Sequence, residues 1–321
     1  MDAALAHCLG AAPRAAAGID SVAQWQALWR AAAAAQASPF GRAVVAGFAA
    51  DRVGWAFASG YQAALRALVP GQLADDTVAA LCVTEEGGNR PRDIETTFTP
   101  LPGGGFAVAG AKRWTTLGPA GTLLLVAGRE AGDGVDGRPR LRVARVPAST
   151  PGVAITPMPP TRFVPEVPHA RVTFDDARLG ADALLAGDGY ARYIKPFRTL
   201  EDTLVTAAVL AYLLREARGR DWPQALRERI VAALQVLSGV SEGPVDGPEN
   251  HVLLAGALRW AHALYAEADA LWAAGAAGDE AARRWQRDAA LFQVAAAARE
   301  ARAARAWERL AASAEREGAS T

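Results

Sequence analysis

One stretch, Leu81 to Gly118 (LCVTEEGGNRPRDIETTFTPLPGGGFAVAGAKRWTTLG), limits what this chain can fold into. Short apolar and β-branched runs are separated there by Gly87-Gly88 and Gly103-Gly104-Gly105. Ile94 to Phe98 and Phe106 to Ala109 read as strands, because β-branched and aromatic residues sit between turn signals. The glycines forbid a long helix across the stretch. It therefore predicts antiparallel β-structure set inside a chain whose other parts carry helical periodicity.

The flanks differ in texture. Before the stretch, Trp25, Leu28 and Trp29 fall at i, i+3 and i+4 in an Ala-rich run, the spacing of one helix face. Ser38-Pro39-Phe40-Gly41 interrupts that run, and Asp51 to Val69 gives a second periodic segment stopped by Pro70-Gly71. Further β-type runs follow at Thr122 to Ala127, Leu141 to Val146, Val153 to Thr156 and Val172 to Phe174. Beyond about residue 185 the helical texture returns. Thr199 to Arg218 is apolar on nearly all sides after its first turn, which predicts a buried helix. Leu226 to Leu237, His251 to Ala274 and Asp279 to Ala312 predict three more, with Ser238 to Asn250 as a loop. The expected architecture is α+β. Helices occupy 1–78, an antiparallel β-domain 79–184 and a four-helix bundle 185–321. The Ala-rich outer surface of that bundle, with recurring arginines, fits a second subunit equally well.

Composition narrows the function classes. The 34 basic and 34 acidic residues cancel, giving no global support for binding nucleic acid or an acidic membrane. Lys112 and Lys195 are the two lysines; every other basic residue is arginine. Two cysteines, Cys8 and Cys82, are too few for a disulfide framework or a cysteine-built metal site, and suit a reduced, cytoplasmic setting. The four histidines form no close pair at ligand spacing. No run of about 20 strongly apolar residues predicts a membrane span.

Two motif matches lack the context that their chemistry needs. Gly132 to Gly137 fits G-x-G-x-x-G, but a strand and not a helix is expected after it, so it reads as a hairpin loop. Gly239-Val240-Ser241-Glu242-Gly243 fits G-x-S-x-G, with Asp246 and His251 following in hydrolase order. A helix precedes this serine where a nucleophile elbow needs a strand.

The order of helices, β-domain and helical bundle resembles the acyl-CoA dehydrogenase family of flavoproteins. Cys82-Val83-Thr84-Glu85 is similar to the family's C-V-T-E run, and Lys112-Arg113-Trp114-Thr115-Thr116 to its K-x-W-I-T run. Phe174-Asp175-Asp176-Ala177-Arg178-Leu179 is similar to the F-D-D-V-R-V that closes the family's β-domain. The resemblance implies FAD, with Thr84 and Thr116 hydrogen-bonding the isoalloxazine edge, Thr116 near N5, Trp114 on the flavin face away from substrate, and Cys82 and Val83 among the cofactor-binding residues. As ordinary strand residues, Trp and Thr need no cofactor to explain them. The implied reaction is α,β-dehydrogenation of an acyl thioester, an acyl-CoA in most of the family. A carboxylate takes the α-proton, and the β-hydrogen leaves as hydride.

The resemblance does not place that carboxylate at its usual position here. In most of the family it follows an R-D-A motif by eight residues, in Y-E-G-T. Arg287-Asp288-Ala289 is followed at that distance by Ala295-Ala296-Ala297-Ala298, and Ala296 cannot take a proton. Isovaleryl- and long-chain acyl-CoA dehydrogenases carry the base on the first bundle helix, in a run resembling E-R-L-V-L-A-G-G-P-L-G-L. Glu201 to Tyr212 aligns with that run without a gap, and Glu201 falls on the glutamate. A plainer account is that Thr199 caps a helix, with Asp202 completing a capping box and Glu201 serving as a first-turn acid. Where the family has Gly-Ser-Asp, the chain reads Gly87 to Asp93, with Arg90 near the serine position as a candidate phosphate contact or a solvated loop residue. The family's R-x-x-F-G and Q-x-x-G-G-x-G runs are missing after Arg218 and at Gly275 to Arg284. The resemblance further implies an electron-transfer flavoprotein as acceptor and a homodimer or homotetramer. The missing runs support an alternative: a degenerate homologue that binds acyl thioesters or serves as a partner subunit.

Overall fold

The structure is a computed structural model that describes residues 1–13, 18–131, 140–276 and 278–318. The Gly132–Gly137 match lies outside the described residues. The chain divides into two compact units. One comprises Met1–Ala64, Arg162–Val164 and Thr199–Thr321; the other comprises Leu65–Thr161 and Pro165–Arg198.

The first unit is helical. It opens with α1 (Ala3–Gly10), α2 (Val22–Ala35), α3 (Pro39–Ala49) and α4 (Val53–Leu68). The Ser38-Pro39 interruption is the start of α3: the Ser38 hydroxyl accepts from Gly41 N, and Pro39 occupies the first turn, where its missing N–H costs nothing. Trp25 of α2 and Trp55 of α4 are both buried and stack with centroids 6.0 Å apart. Each indole N–H is satisfied, by Ser59 Oγ at 3.0 Å and Ile19 O at 2.7 Å.

The same unit holds α5 (Lys195–Gly219) from Thr199 onward, α6 (Gln224–Glu242), α7 (Pro248–Ala273), α8 (Glu280–Asp288) and α9 (Ala296–Gly318). α6 packs on α7, and α7 on α9. α5 is buried over its apolar run except at the half-buried Val205, as its near all-round apolarity requires. Two glycines set how close its neighbours come. A Cβ on Gly47 would lie 2.2 Å from Ala208 O, and one on Gly60 would lie 2.5 Å from Val205 Cα. Backbone therefore meets backbone where α3 and α4 cross α5.

Three helix boundaries differ from the sequence expectation. α5 begins at Lys195, continuing a π-turn at Tyr190–Ile194, and not at Thr199. α6 runs on to Glu242, into the expected loop, so Ser241 is helical and its hydroxyl donates to Ser238 O at 2.7 Å. That geometry removes the nucleophile-elbow reading. The expected single helix from Asp279 to Ala312 is broken between α8 and α9 by a 3-10 turn, Ala289–Gln293, and by Ala295 at φ +64°. Tertiary contacts outweigh alanine's helix propensity there. Asp288 is fully buried and accepts from Val164 N at 2.7 Å. The Phe292 ring stacks on Tyr265 at 4.3 Å, and its carbonyl accepts from His262 and Arg299, each at 3.1 Å.

The second unit is built on a sheet. Among the described residues its strands are β1 (Ala79–Cys82), β2 (Thr97–Pro100), β3 (Phe106–Thr116), β4 (Leu123–Glu130), β5 (Leu141–Pro147), β6 (Val153–Pro157) and β7 (His169–Leu179). Their order is β1-β4-β2-β3-β7-β6, with β5 paired to β4. β1 and β2 run parallel to β4 and the other pairings are antiparallel, so the sheet is mixed and not purely antiparallel. The strand expected at Ile94 to Phe98 is shifted to Thr97–Pro100. β3 and β7 extend well past the runs that announced them, because bulges interrupt their alternation. Phe98, Val108, Leu124, Val126, Val146 and Val172 form the core of this unit.

Replacing Gly60 with alanine is expected to lower stability by about 1–3 kcal/mol, because the added methyl meets immobile backbone and cannot be accommodated by rotation. Urea denaturation with unchanged m-value checks this. A Gly60→Ala protein as stable as the parent would show that α4 and α5 do not approach so closely.

Candidate functional site

Residues that the sequence separates by some thirty positions meet at the junction of β1 and β3. The Thr84 carbonyl accepts from Arg113 N at 2.9 Å. The Val83 carbonyl lies 3.4 Å from Lys112 Nζ, and Thr115 Oγ1 lies 3.6 Å from Cys82 Sγ. Cys82, Val83 and Thr84 thus run alongside Lys112 to Thr116. Burial pushes the Cys82 thiol up to about 11, so it is a packing residue and no nucleophile.

A buried ion pair holds this junction. Lys112 Nζ sits 2.5 Å from Glu85 Oε1, with the two side chains 0% and 7% exposed. Glu85 also accepts from Glu95 N at 2.7 Å and Thr96 N at 3.0 Å. The chain reaches this position through a tight turn in which Glu85 N donates to Gly88 O at 2.8 Å. Burial pushes Lys112 below the ordinary lysine value, against the opposing pull of Glu85. For Glu85 burial acts upward, but Lys112 and the two amides outweigh it and hold the carboxyl below its usual range.

Just beyond Lys112 the register of β3 against β7 shifts, between Lys112 and Thr115. Trp114 occupies that bulge with φ +57° and is 45% exposed, while Thr115 beside it is buried. A bulge re-aims the side chain it carries; here it turns a large flat ring outward. The Trp114 amide points at Met158 Sδ, 3.4 Å away, and the His169 ring meets the indole edge-on at 6.3 Å. Burial lowers His169 from the ordinary imidazole value and so favours the neutral ring, against the opposing pull of a hydrogen bond with the Val167 backbone. Thr116 pairs in register with His169 and, like Thr84, is half-buried. The surface on offer is an exposed indole with Thr84 and Thr116 on the adjoining backbone, a shape suited to a flat heteroaromatic ring. Arg90 is exposed at the start of a short turn, Pro91–Asp93, its N–H donating to Asp93 Oδ2 at 3.0 Å. No metal-ligand cluster occurs among the described residues, and no helix among them is long and apolar enough to cross a membrane.

Glu201 belongs to the helical unit. It lies about two turns inside α5, so it is not a first-turn acid, and the capping-box account of Thr199 and Asp202 fails with it. Thr199 instead meets His251 Nε2 at 3.3 Å, and its carbonyl accepts from Thr203 Oγ1 at 2.8 Å. Asp202 is buried and clamped from α9: Arg299 Nε reaches Oδ1 and Arg302 Nη2 reaches Oδ2, each at 2.8 Å. Glu201 itself is half-buried. Ala296 opens α9 as an exposed methyl directly after the left-handed Ala295.

The Glu85–Lys112 pair and the Asp202 clamp were not foreseen from sequence. A lysine on a strand in a chain with two lysines was the available signal for the first. The second joins residues about a hundred positions apart and has no local signature.

The resemblance drawn from the three ordered runs is borne out. Residues 80–177 match the family described as acyl-CoA dehydrogenase, middle domain. No curated protein matches the chain in sequence. A chain from a structure of the electron transferring flavoprotein of Acidaminococcus fermentans is 16% identical, with 90% of each chain covered and a TM-score of 0.67. Butyryl-CoA dehydrogenase from Megasphaera elsdenii is 16% identical, with 86% of each chain covered and a TM-score of 0.66. KijD3, solved with FMN and a dTDP-linked amino-keto sugar, is 19% identical over 97% of this chain and 91% of that one, with a TM-score of 0.66. At such identities the likeness is one of fold, and the fold is that of the acyl-CoA dehydrogenases.

Removing one partner of the buried pair, as in Glu85→Ala or Lys112→Ala, is expected to cost about 3–5 kcal/mol, while Glu85→Leu with Lys112→Met together costs far less. Equal costs for single and double variants, measured by denaturant unfolding, would contradict the pairing. The pH sign follows from Glu85. Its folded value lies below its unfolded one, so its contribution is complete above the unfolded value and disappears as pH falls through the folded one. Acid therefore destabilises the parent more steeply than the double variant.

Proposed function

We propose that the chain is an FAD-dependent dehydrogenase of acyl thioesters, in which Glu201 takes the α-proton. The observation that carries this reading is the Trp114 bulge, which presents an exposed indole beside Thr84 and Thr116 on an ion-paired junction. These residues, with Cys82 and Val83 along the same edge, would hold the flavin, and Arg90 would meet a phosphate. When bound, the flavin supplies the acceptor for the β-hydride. The work left to the protein is to position a base and to keep water from it.

Glu201 suits the role of base because its placement has no helix-end explanation. The neighbouring Asp202 carboxylate is committed to Arg299 and Arg302, and Glu201 is the carboxylate that stands where the first-bundle-helix run of the family carries its base. An acyl-CoA is the expected substrate, an electron-transfer flavoprotein the expected acceptor and a cytoplasmic homo-oligomer the expected form. A second reading rests on Ala295–Ala298, which puts methyl groups where most of the family carries its base. On that reading the protein binds acyl thioesters, or partners a homologue, without turnover.

Protein purified with added FAD is expected to absorb between about 350 and 500 nm, and anaerobic acyl-CoA is expected to bleach it. Glu201→Gln should keep the colour and lose about 10²–10⁴-fold in bleaching rate. Bleaching at the parent rate would remove Glu201 as the base. A colourless protein that still binds acyl-CoA would favour the second reading.

A further inference from the structure

The sheet unit contains a pocket of about 400 Å³ that shares no residue with the Trp114 surface or with Glu201. Its volume falls within the range of small-molecule sites. The end of β5, the segment after it and the turn after β7 line it, with Arg145, Arg178, Thr150 and Asp182 as the polar groups. Leu123 and Leu179 give it an apolar side.

Arg145 is the residue that asks for an explanation. It lies near the end of β5 and is half-buried. Its Nη2 donates to the backbone carbonyl of Asp182 at 2.9 Å, while its Nε is buried and meets no acceptor among the described residues. No carboxylate among the described residues pairs with it. A permanently charged guanidinium with a buried, unmatched N–H is costly to hold, and such a group calls for an anion or a water opposite it. Arg178 pairs with Asp176 at 3.0 Å, but both side chains are largely exposed, so that contact is weak and its guanidinium is available to a stronger acceptor. The Asp182 side chain is exposed and is the one carboxylate on the lining. With Asp176 and Asp182 both solvated, the half-buried Arg145 is the cation of this pocket that no carboxylate among the described residues offsets.

We propose that this pocket binds the phosphate group of a small molecule, with Arg145 as the anchoring cation, Arg178 as the second and the Thr150 hydroxyl as a donor. The guanidinium fork matches two oxygens of a phosphate. A second cation favours a dianion over a monocarboxylate, and Leu123 with Leu179 accommodates an organic remainder. The site is independent of the flavin reading and stands whether or not the protein is a dehydrogenase.

Isothermal titration with inorganic phosphate tests it on the full chain. One saturable site per chain is expected, weakened about tenfold or more by Arg145→Gln and by Arg178→Gln. Arg171→Gln, an exposed arginine of β7 outside the pocket, should bind as the parent does. Acetate should bind at least about tenfold more weakly than phosphate. Tighter binding of ADP than of phosphate would place an organic group on the apolar side, whereas equal binding would assign the site to free phosphate. No saturable binding, equal binding by Arg145→Gln and the parent, or equal affinity for acetate overturns the proposal. If Arg145→Gln fails to fold, Arg178→Gln, whose side chain is solvent-exposed, decides the question alone.

Discussion

The Glu85–Lys112 pair is the interaction on which the candidate flavin surface depends. Two charges taken out of water repay their desolvation only in one close geometry, so such a pair adds little net stability. What it does here is fix register. The Glu85 carboxylate accepts from Lys112 Nζ and from two consecutive amides, Glu95 and Thr96, while the Glu85 backbone closes a tight turn with Gly88. The end of β1, the approach to β2 and the middle of β3 are thereby tied to one carboxylate. A slip of β3 by one residue would swing Lys112 to the opposite face and leave Glu85 without its cation. With Lys112 fixed, the bulge falls on the next residues, and Trp114 turns outward as a consequence.

The architecture was legible because texture changes twice along the chain. Helical spacing at Trp25-Leu28-Trp29 and all-round apolarity after Thr203 predicted α2 and the buried α5, and the glycine-punctuated stretch predicted the sheet. What failed was whatever depended on distant partners. β1 pairs in parallel with β4, so Ala79 faces Leu123, a relation invisible within either strand. Thr199 and Asp202 read locally as a cap and its box. Asp202 is committed instead to arginines at 299 and 302, and α5 starts earlier. Asp288 likewise ends α8 because it must satisfy Val164 N, not because the alanines after it disfavour helix. Of the candidate residues, Cys82, Val83, Thr84, Trp114 and Thr116 came together because two short runs carried both the contacts and the spacing. Arg90, taken from a loop, lies exposed on its short turn.

The two carboxylate positions can be weighed against each other on physical grounds. At Ala296 the backbone takes an unusual form: the residue before it is left-handed, a conformation that costs an alanine energy, and the helix begins immediately after. A helix start of this kind aims its first side chain, but here that side chain is a methyl and no proton can be moved by it. At Glu201 the backbone is regular and the side chain is the ionisable one. The field of the helix end, which falls off within a turn, no longer accounts for an acid there. Its neighbour's charge is spent on Arg299 and Arg302, which come from the same helix that Ala296 opens. The clamp thus connects the turn that carries Ala296 to the turn that carries Glu201. Any shift of α9 that repositioned Ala296 would drag Asp202, and with it the turn that bears Glu201.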